Sequence, residues 1–350
     1  MLRSTLVLSA VFLVSCSSEP EKLPVPEKDF CSEIHCSDST SLSKELETVK
    51  DSMKEKTGVY VLEDGGNSLV ARAWLSEHAE KTIDIQYFIF STDNVGLIAC
   101  DYLVRAADRG VKVRILVDDM LVDAGAHEIL TLDSHENISI KIYNPGTNLG
   151  KNIVQKIKKF AADFKGANQR MHNKTFTVDG TICITGGRNV ADEYFDYDHE
   201  YNFRDRDVML LGKTVQTVSA SFEQFWNDTL SVPVSDILQD EKQKTNDSSR
   251  YERLHQYACN PNNYWPQVRE KVKTIPLAFK NIRESGELVW LDSVSFVSDM
   301  PGKNADRKNQ AGGITTDSLI SLVNHAKTSI DIQSPYLITT FIGKSLFANA

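Results

Sequence analysis

A ten-residue segment that occurs twice constrains the architecture of this chain more than any other feature of its sequence. Glu77–Gln86 recurs as Asn324–Gln333, and six of the ten positions are identical. In both copies the segment lies where a predicted helix gives way to a β-rich stretch. Chance similarity between two such junctions is a poor explanation for a shared Ile-Asp-Ile-Gln in register. The repeat therefore indicates a duplicated α/β unit whose second copy starts near Ser285.

Helices and strands alternate in the predicted secondary structure of the first copy. The predicted elements are a helix over 67–80, a strand over 82–90, a helix over 95–109 and strands over 111–117 and 138–143. Because 41% of the 350 residues are hydrophobic, the chain can bury a large core, and wholesale disorder is excluded. The alternation predicts an α/β fold in which helices flank a layered, largely buried sheet.

Composition and pattern divide the chain into five segments. We expect a signal peptide at 1–15, a flexible tether at 16–57, a first α/β half at 58–233, a mixed helical connector at 234–284 and the start of a second half at 285–350. The tether is predicted because its residues are mostly Ser, Glu, Lys, Asp and Pro, with little hydrophobic periodicity.

The N-terminus has the features of an export signal. Arg3 precedes an apolar run, Leu6–Val14, that is too short to span a bilayer. Leu13–Cys16 resembles a bacterial lipobox, which implies that Cys16 becomes the lipidated first residue of the mature protein. The alternative is an ordinary signal peptide with an incidental cysteine. We therefore expect a lipid-anchored protein of the bacterial cell envelope, on the outer membrane with its body facing the periplasm.

Two further cysteines, Cys31 and Cys36, are close enough in sequence to form a disulfide, which export would permit. His35 between them also allows a metal site, but the sequence shows no obvious fourth ligand. We expect a Cys31–Cys36 disulfide and no bound metal.

Charge is distributed unevenly along the chain. The formal net charge of −9 argues against a protein that coats nucleic acid through bulk positive charge. By contrast, Lys151–Lys174 contains seven Lys and Arg residues and one Asp. Apolar residues at helical spacing are interleaved with these charges, which suits an amphipathic segment on anionic headgroups. A solvated basic helix packed by its apolar stripe is an equally good interpretation.

A predicted β-hairpin over 171–189 carries the residues with the clearest chemistry. Asp179 and Gly180 lie at its turn. Side chains alternate along a strand, so His172 and Lys174 should project from the same face. An imidazole can act as a nucleophile, and a neighbouring ammonium can neutralise developing negative charge.

The spacing of these residues is far more specific than a His-x-Lys pair. The pattern is His172-x-Lys174, four residues, Asp179, six residues, then Gly186-Gly187-x-Asn189. It resembles the H-x-K-x4-D-x6-G-[GS]-x-N motif of the phospholipase D superfamily. Residues 192–195 and 203–212 further resemble its cardiolipin synthase C-like branch. That family joins two similar halves, each of which contributes one motif to a single site, and the internal repeat agrees with this arrangement.

The resemblance implies a role for each residue of the phosphate site. His172 would be the nucleophile that forms a phosphohistidine. Lys174 and Asn189 would bind the phosphoryl oxygens. Gly187 stands where many members have Ser, so this half lacks any hydroxyl contact to phosphate from that position.

Three aspartates are also assigned by the resemblance. Asp205 would orient and polarise His172. Asp207 alternates to the same face of a predicted strand, so it is the second choice for that role. Asp179 belongs to the motif but is expected to support the hairpin rather than touch substrate.

No second complete motif occurs in the sequence. His325 is followed by Lys327, but Ile332 stands where the motif needs Asp. His325 is instead the counterpart of His78 in the repeat. In the first half the motif begins well beyond Gln86, and the same distance from Gln333 runs past residue 350. We expect a missing C-terminal half to supply the second motif and its general acid.

The function implied by the resemblance is that of a phosphatidyltransferase similar to the cardiolipin synthases, acting through a phosphohistidine without metal or other cofactor. Its expected partner is a phospholipid membrane, with anionic lipids such as phosphatidylglycerol. Three alternatives stay open: a hydrolytic phospholipase D, a nuclease of the same superfamily and a non-catalytic lipid-binding lipoprotein. The predicted lipid anchor and the acidic charge weigh against the nuclease, so no nucleic acid partner is expected.

Overall fold

A computed structural model describes residues 29–36, 41–123, 126–145, 170–197, 201–238, 249–302, 313–332 and 341–349. Within these ranges the molecule is built on one sheet of nine strands. The strands are β1 (Thr57–Leu62), β2 (Thr82–Ser91), β3 (Lys112–Asp123), β4 (Ile138–Tyr143), β5 (Thr175–Val178), β6 (Ile182–Gly186), β7 (Asp207–Gly212), β8 (Ser231–Pro233) and β9 (Val289–Leu291). Their spatial order is β8-β4-β3-β2-β5-β6-β7-β1-β9. The β2, β3 and β4 strands are parallel, and the other neighbours are antiparallel.

Helices flank this sheet, which confirms the predicted fold class. The helices of the described ranges are α1 (Phe30–Ile34), α2 (Leu42–Glu45), α3 (Lys50–Glu55), α4 (Gly65–His78), α5 (Asn94–Asp108), α6 (Ala126–Asp133), α7 (Val215–Trp226), α8 (Val234–Ile237), α9 (Ser249–Ala258), α10 (Pro266–Val272), α11 (Ala278–Glu284), α12 (Ile314–His325) and α13 (Phe341–Asn349). Among the helices of the described ranges, none combines the length and the apolar character that crossing a bilayer requires.

Side chains alternate between the two faces of the sheet along its strands, and apolar residues on each face are buried against helices. In β3, Ile115 and Val117 belong to the main core with α4 and α5, whereas Leu116 between them packs with Phe222 of α7. In β6, Cys183 likewise faces α7, away from the main core. The continuous apolar runs of these strands follow from this two-sided burial.

Side-chain caps set the starts of the two central helices. The Asp64 carboxylate accepts a hydrogen bond from Asn67 N at 2.7 Å, so α4 begins at Gly65, two residues before the predicted start. The Asp93 carboxylate accepts from Gly96 N at 3.1 Å and starts α5. Gly110, with φ of +95°, follows the end of α5, where a left-handed residue is common.

One edge of the sheet collects the ends of its central strands, and we call it the upper edge. There β2 and β6 end while β5 and β7 begin, because β5 is antiparallel to both β2 and β6. The register pairs Gln86 with Thr175, Thr175 with Thr185, and Gly186 with Asp207. Residues that precede β5 and β7 or follow β6 therefore lie together at this edge.

The flexible tether predicted at 16–57 is wrong for the residues that the structure describes from 29 onward. Short helices α1, α2 and α3 form there, and Ile34, Leu42 and Met53 are buried. Their apolar residues are too widely spaced to give a clear helical period in sequence, yet each fills a place on the main core. Residues 1–28, with the predicted signal peptide and Cys16, lie outside the described residues.

The second copy of the repeat is folded differently from the first in the described part of the chain. Its helix is present as α12, but Leu319 and Leu322 are 58% and 68% exposed. Ile330 and Ile332, which correspond to buried residues of β2, are exposed and form no strand. A strand needs hydrogen-bonding neighbours, which β2 finds in β3 and β5.

The expected Cys31–Cys36 disulfide is also wrong. Cys31 is bonded to Cys259, at the end of α9, and Cys36 remains an unbridged thiol. Cys31 lies on α1, which directs it toward α9, whereas Cys36 follows the end of that helix and packs against the main core. Burial raises the pKa of the Cys36 thiol to about 12, which makes it a poor nucleophile.

Candidate active site at the upper edge of the sheet

His172 and Lys174 lead into β5 at the upper edge. The strand itself begins at Thr175, so both residues precede it rather than lying within it as predicted. The His172 side chain is exposed and its ring stacks on Phe88, with 4.1 Å between centroids. Lys174 Nζ lies 5.5 Å from the centroid of the same ring and donates a hydrogen bond to His172 O at 2.7 Å. The imidazole and the ammonium therefore share one aromatic support.

The environment of Lys174 lowers the pKa of its ammonium group. Burial lowers the pKa of its ammonium to about 8, although the nearby carboxylates of Asp205 and Asp118 act in the opposite direction. Lys174 stays cationic below that pH and can neutralise a phosphoryl oxygen, an interaction that is strong because the group is poorly solvated.

We expect activity to decline as the pH rises through about 8, because the Lys174 ammonium is then lost. The measurement is kcat/KM against pH, which reports groups of the free enzyme. In Lys174→Arg the remaining activity should persist to higher pH, since a guanidinium stays charged. A decline at the same pH in both proteins would assign it to another group.

The two glycines after β6 allow a close approach of the segment before β7. A Cβ at Gly187 would overlap the Asp205 carboxylate, and a Cβ at Gly186 would overlap the backbone of Arg206 and Asp207. Gly187 N also donates to Arg206 O at 3.2 Å. A serine at position 187 would therefore displace Asp205 from its present place.

Asp205 and Asp207, which the sequence did not separate, have different surroundings. Asp205 is half-buried, and burial raises the pKa of its carboxyl, with Arg188 and Lys174 opposing that effect. It lies against Gly187 and within electrostatic reach of Lys174. Asp205 therefore belongs to the upper-edge site.

Asp207 is fully buried and committed to a structural network. Its Oδ2 accepts hydrogen bonds from Ser68 Oγ at 2.6 Å and Arg72 Nη2 at 2.8 Å. The Arg188 backbone N–H donates to its Oδ1 at 3.4 Å, and Arg188 Nη1 lies 3.7 Å from Oδ2. Burial alone would raise the pKa of Asp207, but Arg72, Ser68 and Arg188 hold it below its ordinary value. This carboxylate ties α4 to β7 and cannot also serve His172.

Asn189 is buried where the chain returns alongside the end of β2. Its carboxamide oxygen accepts from Ile89 N at 3.0 Å, next to the Phe88 ring that supports His172. Burial raises the pKa of the neighbouring Tyr194 hydroxyl, and the Asn189 side chain opposes that effect. The structure thus brings Asn189 to the upper edge, and its contact with phosphate stays a prediction.

Asp179 lies at the opposite end of the hairpin. It has a φ of +52°, and its carboxylate accepts hydrogen bonds from Glu80 N, Lys81 N and Thr82 N at 2.7–2.9 Å. These bonds fix the start of β2 against the hairpin turn. The motif aspartate therefore acts on the fold, at the edge of the sheet remote from Lys174.

Replacing Asp179 with alanine should lower the free energy of unfolding by about 2–4 kcal/mol, because three backbone donors lose a charged acceptor. Alanine also tolerates the left-handed φ poorly. Chemical denaturation would measure the loss. Asp51→Ala is the matched control, since the Asp51 side chain is 95% exposed, and should leave the free energy of unfolding nearly unchanged. Equal stability of both variants would contradict the role given to Asp179.

The residues that pack behind the site lie outside the sequence motif and were not predicted. Phe88 carries His172, and Arg72 and Ser68 hold Asp207. Arg170 Nη1 and Met171 N donate to the buried carboxylate of Asp118 at 3.2 and 2.9 Å, which fixes the entry to the motif. An arginine on the apolar face of a predicted helix, as at position 72, was the one available signal. Residues 146–169, most of the basic segment, lie outside the described residues.

The amino-acid sequence of this chain is similar to those of one described protein family. Residues 75–226 match a family model described as cardiolipin synthase, PLD-like domain. An uncharacterized protein of Helicobacter pylori strain J99 is 30% identical over 332 residues, covering 95% of this chain and 64% of that protein. Cardiolipin synthase C of Escherichia coli K12 is 31% identical over 288 residues, covering 82% of this chain and 58% of that protein. The chain thus spans less than two thirds of the length of these relatives.

Among solved structures, the chain is also similar to that of phosphatidylserine synthase from Haemophilus influenzae Rd KW20. It has a TM-score of 0.38 and 12% sequence identity, and the match covers 73% of this chain and 52% of that one.

Proposed function

Because this chain belongs to the cardiolipin synthase-like branch of the phospholipase D superfamily, we propose that it acts as a membrane-associated phosphatidyltransferase on phospholipid phosphodiesters. The observation that carries the proposal is the meeting of His172, Lys174 and Asp205 at the upper edge, although they come from the starts of two different strands. A nucleophile, a cation and a carboxylate are the groups that displacement at phosphorus needs.

In the first displacement, an imidazole nitrogen of His172 attacks the lipid phosphorus. A nitrogen–phosphorus bond forms, and the bond from phosphorus to the departing alcohol breaks. Lys174 neutralises the phosphoryl oxygens as negative charge gathers on them. Stacking on Phe88 restricts the exposed imidazole to fewer orientations, which reduces the entropy lost on attack. Asp205 is assigned to orient and polarise the imidazole.

The departing alcohol needs a proton, and a second motif would supply it. Residues 1–350 contain no second His-x-Lys-x4-Asp pattern. The proposal therefore places the general acid in a second half similar to the first. In the second displacement that same group takes a proton from the acceptor alcohol, which attacks the phosphohistidine and releases the product.

A membrane location follows from the same proposal. Lipidation of Cys16 would confine the site to the neighbourhood of a bacterial envelope membrane, where phospholipid is the abundant phosphodiester. The basic residues before His172 would favour anionic headgroups. Phosphatidylglycerol is accordingly the preferred substrate or acceptor.

The test is an incubation of the protein, including the second half, with mixed vesicles of phosphatidylglycerol and phosphatidylethanolamine in EDTA. We expect cardiolipin to accumulate, because the displacements need only side chains. Phosphatidic acid as the main product would identify a hydrolytic phospholipase D instead, with water as the acceptor. Binding to vesicles without any product would favour a non-catalytic lipid-binding protein.

A parallel incubation with DNA tests the nuclease alternative. The comparisons give no support for excluding nucleic acid as a ligand. Cleavage of DNA with unchanged lipids would overturn the phospholipid assignment.

A further inference from the structure

Four potential metal ligands converge at the junction of α1 and α9, remote in sequence from the phosphodiester motif. They are Cys31, His35, His255 and Cys259, and their ligand atoms all lie within 4.8 Å of one another. Cys31 lies on α1, which ends one residue before His35, and His255 lies on α9, which ends one residue before Cys259. Within each pair the cysteine and the histidine are four residues apart in sequence. The local sequence pattern pointed only to Cys31, His35 and Cys36, because His255 and Cys259 are distant in the chain.

The nitrogen–sulfur distances among the four side chains are near those of a tetrahedral site. His255 Nε2 lies 3.7 Å from Cys31 Sγ and 3.5 Å from Cys259 Sγ, and His35 Nε2 lies 4.0 Å from Cys259 Sγ. Zinc bonds of about 2.3 Å to sulfur and 2.0–2.1 Å to nitrogen put tetrahedral ligands roughly 3.3–3.8 Å apart. The two sulfurs, which are bonded to each other in this structure, would have to separate to reach that geometry.

A carboxylate lies next to the Nδ1 atom of each of the two histidines. Glu77 Oε1 lies 2.7 Å from His35 Nδ1, and Asp101 Oδ1 lies 3.4 Å from His255 Nδ1. The Nε2 atom of each ring lies within 4.0 Å of a sulfur, and Arg105 Nη1 also lies 3.4 Å from His255 Nδ1. A carboxylate on the distal nitrogen is the usual partner of a metal-binding histidine, because it fixes the tautomer and raises the basicity of the ligand.

The surrounding charges also suit a metal with two thiolates. Zn²⁺ with two thiolates and two neutral imidazoles has no net charge. Glu77 is further paired with Arg105, whose Nε lies 3.5 Å from its carboxylate. Glu77 belongs to α4 and Asp101 and Arg105 belong to α5, so a metal here would join four helices.

We propose that Cys31, His35, His255 and Cys259 bind one structural Zn²⁺ in place of the Cys31–Cys259 sulfur–sulfur bond. The chain is synthesised with both thiols reduced. Binding forms two zinc–sulfur and two zinc–nitrogen bonds and releases the two thiol protons, so no oxidant or reductant is consumed. Two thiolates and two imidazoles in a closed tetrahedral set are characteristic of structural zinc rather than of magnesium or calcium.

The function of the metal would be to fasten the N-terminal helices to the body. It would close a loop of more than two hundred residues between α1 and α9, a long-range link that restricts the unfolded chain. The site does not depend on the proposed phosphatidyltransferase activity.

Zinc content and thiol state of the full chain test this proposal. The chain is expressed in medium supplemented with ZnSO₄, purified without chelator and analysed by inductively coupled plasma mass spectrometry. A second sample is denatured in EDTA with iodoacetamide and mapped by peptide mass spectrometry. We expect about one Zn²⁺ per chain and alkylation of both Cys31 and Cys259.

Variants separate this site from adventitious zinc. Cys31→Ser combined with Cys259→Ser should lower the zinc content at least about tenfold, whereas Cys36→Ser, outside the cluster, should leave it unchanged. Glu77→Gln retains all four ligands and should weaken zinc affinity by roughly 10–100-fold in a competition with a chelator. A purely disulfide role would not respond to that change.

Two results would overturn the proposal without reliance on any variant. One is wild-type protein with less than about 0.1 Zn²⁺ per chain, whatever the state of its sulfurs. The other is a Cys31–Cys259 linked peptide as the main species in a non-reducing digest. Zinc that persists in the double cysteine variant would likewise place the metal elsewhere.

Discussion

Replacing His172 with alanine is expected to lower turnover by at least about a thousandfold in the protein that includes the second half, because the covalent path then has no nucleophile. The exposed position of His172 on the Phe88 ring means that its loss should not disturb the core. The measurement is the rate of cardiolipin formation in phosphatidylglycerol vesicles, with the unfolding midpoint recorded alongside. The variant should unfold as the wild type does.

His325→Ala is the matched control for this change. His325 is also exposed and is also followed two residues later by a lysine, but it lies at the end of α12 and not in the motif. Its replacement should leave turnover within about twofold of wild type. Wild-type rates in His172→Ala would refute the assignment.

A trapped phosphoprotein should be labile in acid and stable in base, and an acid-stable adduct would indicate another nucleophile.

Replacing Asp207 with alanine should lower the free energy of unfolding by about 3–5 kcal/mol, because the buried Arg72 guanidinium then has no counter-charge. Arg72 is 7% exposed and Asp207 is fully buried, so water cannot replace the lost carboxylate. Ser68 would lose its acceptor at the same time. Urea denaturation of the purified chain measures the effect.

Asp205→Asn is the comparison that separates stability from catalysis. Asp205 is partly exposed, whereas Asp207 is fully buried and bonded to Ser68 and Arg72 of another element. We expect the Asp205 variant to unfold within about 1 kcal/mol of wild type while its turnover falls at least about tenfold. If the Asp205 variant were the unstable one and the Asp207 variant stable but inactive, the two roles would have to be exchanged.

Several features of the fold were predictable because they depend on local pattern. Alternating apolar segments indicated the α/β fold, and Asp179-Gly180 marked the hairpin turn, where the structure has both residues at positive φ. The spacing of His172, Lys174 and Asn189 identifies the motif without any tertiary information. Each of these signals lies within a short stretch of chain.

The errors arose where a residue's partner is distant in sequence. Cys31 was matched with Cys36, the nearest cysteine, whereas its neighbour in space is Cys259, which α9 brings against α1. The helices at 30–55 resemble a tether in sequence, because their few apolar residues find partners only on the surface of the main core. Composition alone does not show which surface a short helix will cover.

The sequence by itself determined the class of fold, the motif and the residues able to carry the chemistry, since these depend on residue type and spacing along the chain. Only the tertiary structure shows that Asp205, and not Asp207, belongs to the upper-edge site. Both are acidic and two residues apart, but Arg72, Ser68 and Arg188 enclose one of them, while the other faces Gly187 and Lys174. The physical reason is that the function of a carboxylate depends on its burial and on the charges around it, and those are supplied by residues from distant parts of the chain.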